Sequence, residues 1–244
     1  MRLVYRWSTV SNWGDRLSVH LLRHWSQIPV GTWDVADECD ILGVGSTVGH
    51  VLPEWNGVIL GAGALLPSER VPWAALTLGV RGKLTRERMH GSPASVVLGD
   101  PGLIADELVE RPKRTHRLGI LPHWSDTDLM KRREFWRYDP LFISPGWNEI
   151  DVIRMIGSCD KLITSSLHGM ILADAFGIPR RFEEAPRLRY EGGTFKHEDY
   201  SSAIGHEFKV GVTSAPRRFV VNDVRDRLID MYEQYGQMVR DGMA

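Results

Sequence analysis

The chain has 244 residues, of which 43% are hydrophobic and 25% charged, with a formal net charge of −1. That length can bury a sizeable core as one large domain or two small ones, and the composition excludes disordered and fibrous classes. A near-neutral balance argues against a protein that coats nucleic acid or binds membranes through a polybasic surface. Basic residues still cluster at Arg111 to Arg117, Arg180–Arg181, Arg187–Arg189 and Arg217–Arg218, a distribution that fits either solvated faces or a small anionic ligand. Cys39 and Cys159 are too few and too far apart for a disulfide framework or a zinc site, so both read as packing residues. The start of the chain, Met1 to Trp7, lacks a long apolar region, and no stretch approaches the roughly 18 apolar residues of a membrane span. A cytoplasmic protein is expected, with at most peripheral association at the inner face of the membrane.

The predicted elements alternate. Residues 2–6 begin as a strand, the turn Ser11-Asn12-Trp13-Gly14-Asp15 follows, and a helix is expected from about Arg16 to Trp25. Short apolar runs at Asp40–Gly45, Val58–Leu60, Leu76–Val80 and Ser95–Leu98 each end in Gly, Ser or Asp, with a polar helical segment, Leu84–His90, between the last two. Charge and a proline at Arg111–Arg117 mark a boundary. A second series runs through Leu118–Pro122, Pro140–Ser144, a helix at about Asn148–Gly157 and a strand at Lys161–Thr164. The helix containing His168 comes next and stops at Gly177, with Pro179 just beyond. From Arg180 to Gly211 a long polar loop region is expected, then a strand at Arg218–Val221. A final amphipathic helix reaches about Arg240 with the stripe Val224, Leu228, Met231, Tyr235 and Met238. Short strands alternating with helices predict parallel α/β sheets. The favoured arrangement is two Rossmann-like domains facing a cleft, residues 1–112 and 113–244, the second carrying a C-terminal closing helix. A single larger sheet is the alternative.

Four segments carry candidate chemistry. Asn12 and Asp15 flank Gly14 at a strand-to-helix turn, where they can orient a sugar hydroxyl or cap the helix. Arg81 ends a strand and precedes a glycine, which would aim a guanidinium into the crevice, where its fork matches phosphate or carboxylate oxygens. Asp100, in Gly99-Asp100-Pro101-Gly102, can organise a turn. Ser165, Ser166 and His168 sit where a strand meets a helix N-terminus, a place that offers free N–H groups to an anion. The helix dipole lowers the pKa of such a His and a bound phosphate dianion raises it, so an anionic substrate can help protonate it. There is no Walker loop, G-x-G-x-x-G, G-x-S-x-G or H-E-x-x-H, and no metal-ligand spacing of Asp and His, so no metal is expected.

In order, the chain carries Asn12-Trp-Gly-Asp15, Val80-Arg-Gly-Lys-Leu-Thr-Arg-Glu87, Leu98-Gly-Asp-Pro101, Gly119-Ile-Leu-Pro-His123, Ser165-Ser-Leu-His168 running on to Pro179, and Phe195-Lys-His-Glu-Asp-Tyr200. This series, over about residues 3–204, resembles the polysaccharide pyruvyl transferase family, particularly the bacterial exopolysaccharide ketal-pyruvate transferases. The resemblance implies a glycosyltransferase-B-like fold with phosphoenolpyruvate as donor co-substrate, no cofactor, and a sugar or lipid-linked glycan as acceptor. It also implies a pyruvate ketal, often 4,6-linked on a hexose, as product. By the same resemblance Arg81 and His168 hold the donor and assist catalysis, with Ser165 and Ser166 against its phosphate or carboxylate. Asn12 and Asp15 match the glycan side, and His123 is a further cleft candidate. Ser165-Ser-Leu-His168 replaces the Ser-Arg-Leu-His of some relatives, so another cation must serve, Arg81 or Lys196. His197 stands where relatives often carry an aromatic residue. Two rival readings are a nucleotide-sugar glycosyltransferase of similar fold, which needs a cleft for a nucleobase, and a non-catalytic glycan-binding module.

Overall fold

The computed structural model describes residues 1–7, 12–73, 75–91, 93–126, 128–129, 132–185 and 192–243. Its strands form two sheets rather than one. The first holds β1 (Arg2–Tyr5), β2 (Val30–Trp33), β3 (Ile41–Leu42), β4 (Val58–Leu60), β5 (Leu76–Val80) and β6 (Val97–Leu98), in the order β2-β1-β3-β4-β5-β6. All five pairings are parallel. The second holds β7 (Gly119–Leu121), β8 (Leu141–Phe142), β9 (Leu162–Thr164), β10 (Arg180–Phe182) and β11 (Thr213–Ser214), in the order β11-β10-β9-β7-β8. Only the β10–β11 pair is antiparallel. The α/β class with mostly parallel sheets is as expected. Central strands such as Val58-Ile59-Leu60 and Leu162-Ile163-Thr164 are buried along their whole length, as strands covered on both faces must be.

The helices are α1 (Leu17–Leu21), α2 (Lys83–Arg86), α3 (Arg133–Trp136), α4 (Glu149–Gly157), α5 (Leu167–Phe176), α6 (Phe195–Ala203) and α7 (Arg218–Arg240). Local signals place several of them. The Asn148 side chain accepts from Ile150 N–H at 3.0 Å to start α4. Ser166 accepts from Gly169 N–H at 3.4 Å to start α5, and Gly177 ends that helix at φ 67°. None of the described helices is long and apolar enough to cross a membrane.

Three segments differ from the expectation. Val30–Trp33 is a strand, paired along β1 at the edge of the first sheet. Arg218–Val221 is the first turn of α7 and not a strand. Its β-branched run reads as β locally, but Val221 falls in helical register with Val224 and Leu228, all buried, and Arg218 donates to the Asp174 and Ala175 carbonyls at 3.1 and 2.6 Å. The region 180–211 contains β10 and α6 where a loop was expected; residues 186–191 of it lie outside the described residues.

The reason α6 folds is remote in sequence. Its Asp199 accepts from Arg81 Nε at 3.0 Å, from Thr85 N–H at 2.9 Å and from Thr85 Oγ1 at 2.6 Å. Arg81 and Asp199 are both fully buried. Gly82 lets the chain come this close, because a Cβ there would lie 1.8 Å from the Asp199 carbonyl oxygen. The first sheet thus holds α6 through a dry ion pair, and α7 returns to the same sheet, packing on β5, β6 and the 3-10 helix Pro101–Leu108. There Arg225 donates to the Leu103 carbonyl at 2.7 Å and pairs with Asp106 and Glu107 at 2.5 and 2.6 Å. One buried cluster runs through both sheets, from Val4 and Ile41 to Leu162 and Ile171.

Asp199→Ala should lower stability by about 3–5 kcal/mol, the usual effect of leaving a buried charge unpaired. The measurement is equilibrium urea unfolding, and an unchanged midpoint would show that α6 docks without the pair.

Candidate active site

Each sheet has a point where the strand order reverses. In the first, the chain goes from β1 to β2 on one side and then to β3 on the other; in the second, it goes from β7 to β8 and then to β9. Crevices outside the carboxyl ends of such strands are where open α/β sheets place ligands. A cavity of about 410 Å³ is lined by residues following β1, β3, β7 and β9, the strands on either side of the two switch points. Trp7, Asn12 and Asp15 follow β1, and Ser46, Thr47 and His50 follow β3. His123 and Trp124 follow β7, while Ser166, Leu167 and His168 follow β9. Lys196 comes from the first turn of α6, and Leu65 from beyond β4.

Six sequence-predicted residues therefore meet on one cavity: Asn12, Asp15, His123, Ser166, His168 and Lys196. Arg81 and Ser165 do not line it. The Arg81 guanidinium is spent on Asp199, on Ser46 Oγ at 2.6 Å and on the Ala64 carbonyl, so Arg81 stands behind Ser46 instead of entering the crevice. Ser165 is buried and accepts from His123 N–H at 2.9 Å, bracing the loop after β7. Asp100 is also away from the lining; its carboxylate caps the 3-10 helix by accepting from Gly102 N–H at 2.9 Å, the turn role expected of it. His197 fills an aromatic position, fully buried with Phe182 and Phe208 at centroid distances of 4.3 and 5.4 Å. Sequence reasoning missed Trp7, Ser46, Thr47, His50, Leu65 and Trp124. Gly45-Ser46-Thr47 ends a strand just as the chosen motifs do, so Ser46 and Thr47 were open to the same argument.

His168 lies against the Asn12–Asp15 turn. A Cβ on Gly14 would sit 1.9 Å from its Nδ1, and the Trp13 ring meets it edge-on with centroids 5.9 Å apart. The glycine of that motif is therefore the seat of the imidazole. Across the turn, Asn12 Nδ2 donates to Asp15 Oδ2 at 2.8 Å. Two buried polar atoms on the lining, His168 Nε2 and Thr47 Oγ1, have no hydrogen-bond partner among the described residues. Buried polar groups are nearly always satisfied, so both are suited to a ligand's polar atoms.

The titratable groups are pushed in opposite directions. Burial lowers His168 to about 3, with Lys196, Arg81 and His123 adding to the effect. Burial, then Lys196, lowers His123 to about 3 as well. Burial raises Asp15 to about 7 against the pull of Asn12 and Lys196. The cavity at neutral pH thus holds neutral imidazoles and a carboxyl that can carry a proton. Pairs of groups driven apart in this way mark acid and base assignments. The N-terminus of α5 and the Lys196 side chain also line the cavity, a combination whose chemistry suits an anion. The far end of α5 is covered by Arg111 and Arg114, which donate to the Phe176 carbonyl at 3.1 and 3.2 Å. Among the described residues, no three His, Cys, Asp or Glu side chains are grouped to hold a metal ion.

Gly14→Ala should displace the His168 ring, seen as a shift of its imidazole NMR resonances, and lower stability by about 1–3 kcal/mol through overpacking. Gly146→Ala, whose Cβ would meet nothing closer than 3.6 Å, should leave those resonances in place. Asp15 supplies a pH test. Its folded value of about 7 lies above the ordinary 3.8, so folding takes up a proton. The associated stability is complete below pH 3.8 and lost as pH rises through 7. Asp15→Asn, which cannot ionise, should gain on the wild type in urea midpoint across that rise, and parallel curves would contradict the shift.

Residues 74–181 match the model of the polysaccharide pyruvyl transferase family. The chain is 28% identical over 234 residues to the succinoglycan biosynthesis protein ExoV of Rhizobium meliloti, covering 92% of this chain and 70% of that protein. It is 31% identical over 161 residues to an uncharacterised protein, L143, of Acanthamoeba polyphaga mimivirus, covering 62% of this chain and 56% of that protein. The match thus spans little more than half the length of the viral relative. A functionally uncharacterised Klebsiella pneumoniae protein of known structure is similar at a TM-score of 0.42 and 15% identity, covering 80% of this chain and 87% of that one. The chain is thus similar to the polysaccharide pyruvyl transferase family through residues 74–181, and to ExoV over 92% of its length.

Proposed function

We propose that this chain transfers the pyruvyl group of phosphoenolpyruvate to a sugar of a polysaccharide or its glycan precursor, closing a ketal on the 4- and 6-hydroxyls of a hexose. The observation that carries this reading is the joining of His168, Lys196 and Asp15 on one cavity between the two switch points, in a chain whose residues 74–181 match the polysaccharide pyruvyl transferase family. The donor side is the second sheet. There the α5 N–H groups, Ser166 and Lys196 meet the phosphate and carboxylate by preorganised electrostatics. The acceptor side is the first sheet, with Asn12 and Asp15, and His123 faces it from β7. Two halves meeting at such a cleft, with α7 crossing back to the first, are in keeping with a glycosyltransferase-B-like arrangement of residues 1–112 and 113–244. The setting is the cytoplasm, at most against the inner membrane face.

In the proposed sequence a proton is delivered to the methylene carbon while a sugar oxygen bonds to C2. The C2–O bond to phosphate then breaks, and the second hydroxyl closes the ketal on the same carbon. One hydroxyl proton ends on the new methyl group and the other on phosphate, so the balance needs no redox partner. Burial raises Asp15 to about 7, so its carboxyl can carry a proton near neutrality and suits delivery to carbon. His168 is neutral in the cavity and suits removal from the attacking hydroxyl. A bound phosphate dianion raises its proton affinity, so the same ring can hand that proton to the leaving group. Arg81 is a positioning residue in this scheme, acting through Ser46 and Asp199.

The test is phosphate release from phosphoenolpyruvate with a panel of hexosides. Acceptor-dependent release is expected, with a product heavier by a ketal-linked pyruvate and activity lowered about 10²- to 10⁴-fold in His168→Ala, the range for a lost acid–base group. A wild type that binds a sugar nucleotide but not phosphoenolpyruvate would sink the reading in favour of glycosyl transfer.

A further inference from the structure

The cavity has an apolar wall that the donor chemistry does not use. Trp7, just past β1, and Trp124, just past β7, approach each other from different sheets with ring centroids 5.8 Å apart and planes at 63°. Both line the cavity and both are half-buried. The His123 ring lies 5.4 Å from Trp124, its Nδ1 held 2.8 Å from Ser125 Oγ. Also on the lining, His50 is fixed by the Tyr5 hydroxyl through Nδ1 at 2.9 Å.

A small donor carrying a phosphate and a carboxylate gains nothing from two indoles. A pyranose does, because its axial C–H bonds make one face apolar while hydroxyls ring the edge. An electron-rich indole face attracts such C–H bonds, and the ring buries a large area at little cost in rotamer freedom. The angle between the planes bears on the ligand's shape. The two indoles leave no parallel slot to sandwich a flat nucleobase, whereas two walls at 63° suit a puckered ring touched on a face and an edge. The same lining supplies hydroxyl partners on the first sheet. Thr47 Oγ1 is buried there without a partner among the described residues, and Asn12 and Asp15 stand beside it on the cavity.

We propose that Trp7 and Trp124 form a two-walled aromatic platform that seats the acceptor hexopyranose, with Thr47 taking one of its hydroxyls. This rests on the pyruvyl-transfer reading for the statement that the sugar is the acceptor. Because the walls come from separate sheets, the platform exists only where the two sheets meet, and the sugar bridges them. Stacking on one face leaves the hydroxyl edge of the ring free to meet the polar groups of the same cavity, His168 and Lys196 among them.

The experiment measures binding of methyl α- and β-glycosides of glucose, galactose and mannose by saturation-transfer NMR and calorimetry, with phosphoenolpyruvate binding measured separately. Trp124→Ala and Trp7→Ala should each weaken glycoside binding about tenfold to a hundredfold, as loss of a buried aromatic anchor does. Trp124→Phe should restore most of it. Phosphoenolpyruvate binding should stay at the wild-type level in all three, which also reports that they are folded. In the wild type, saturation transfer should be strongest at the ring C–H protons of one pyranose face. Unchanged glycoside affinity in both alanine variants would overturn the platform, as would a wild type that binds no glycoside of the panel. Failure of the pyruvyl-transfer reading looks different: the glycoside would bind and depend on the tryptophans, yet no phosphate would be released.

Discussion

The buried pair between Arg81 and Asp199 is the contact on which the rest of the site depends. It joins a strand end of the first sheet to a helix 118 residues further along the chain. Thr85 adds two bonds to the same carboxylate, and Gly82 removes the Cβ that would hold the two segments apart. A buried ion pair is not in itself a source of large stability, since desolvation offsets much of the attraction. Its value here is geometric. Held by Asp199, α6 can place Lys196 on the cavity, and held by Arg81, Ser46 is turned to the same space. The guanidinium also reaches the cavity through its field, helping to keep His168 unprotonated.

A second buried cation organises the opposite end of α5. Arg180 pairs with Asp174 at 3.1 Å, and the Tyr200 hydroxyl donates to the same carboxylate at 3.1 Å. Arg218, Arg111 and Arg114 cover the last carbonyls of the helix. The α5 axis is thereby fixed at both ends, by polar contacts at its C-terminus and by the Gly14 seat against His168 at its N-terminus. A helix so held can present N–H groups and an imidazole to an anion without reorganising, which is the condition for electrostatic catalysis. Within the basic clusters of the sequence, Arg111, Arg114, Arg180 and Arg218 are structural cations, whereas Lys196, outside those clusters, lies on the cavity lining.

Much of this was legible in the sequence. The strand–turn–helix around His168 was readable to within a residue, because Ser166 and Gly177 are local signals that act through their own backbone. The strand-end motifs containing Asn12, Asp15, His123 and His168 were recognisable for the same reason. What was misread was long-range. Phe195–Ala203 carries no amphipathic stripe and folds as a helix because Asp199 and Tyr200 find partners elsewhere. Arg218–Val221 has the β-branched composition of a strand and is helical because its side chains meet α5 and the first sheet's helices.

Most of the elements, and the residues that stand at strand ends, can be read from the chain alone, since caps, turns and apolar runs act over a few neighbouring positions. Which of those residues face the cavity and which brace it depends on how the two sheets pack. Arg81 and His168 look equally placed in the chain. One is consumed by a carboxylate brought from far along the sequence, and the other keeps a buried nitrogen unpartnered among the described residues. That distinction depends on which charges become neighbours when two sheets close on each other, a property of the packing that no local pattern contains.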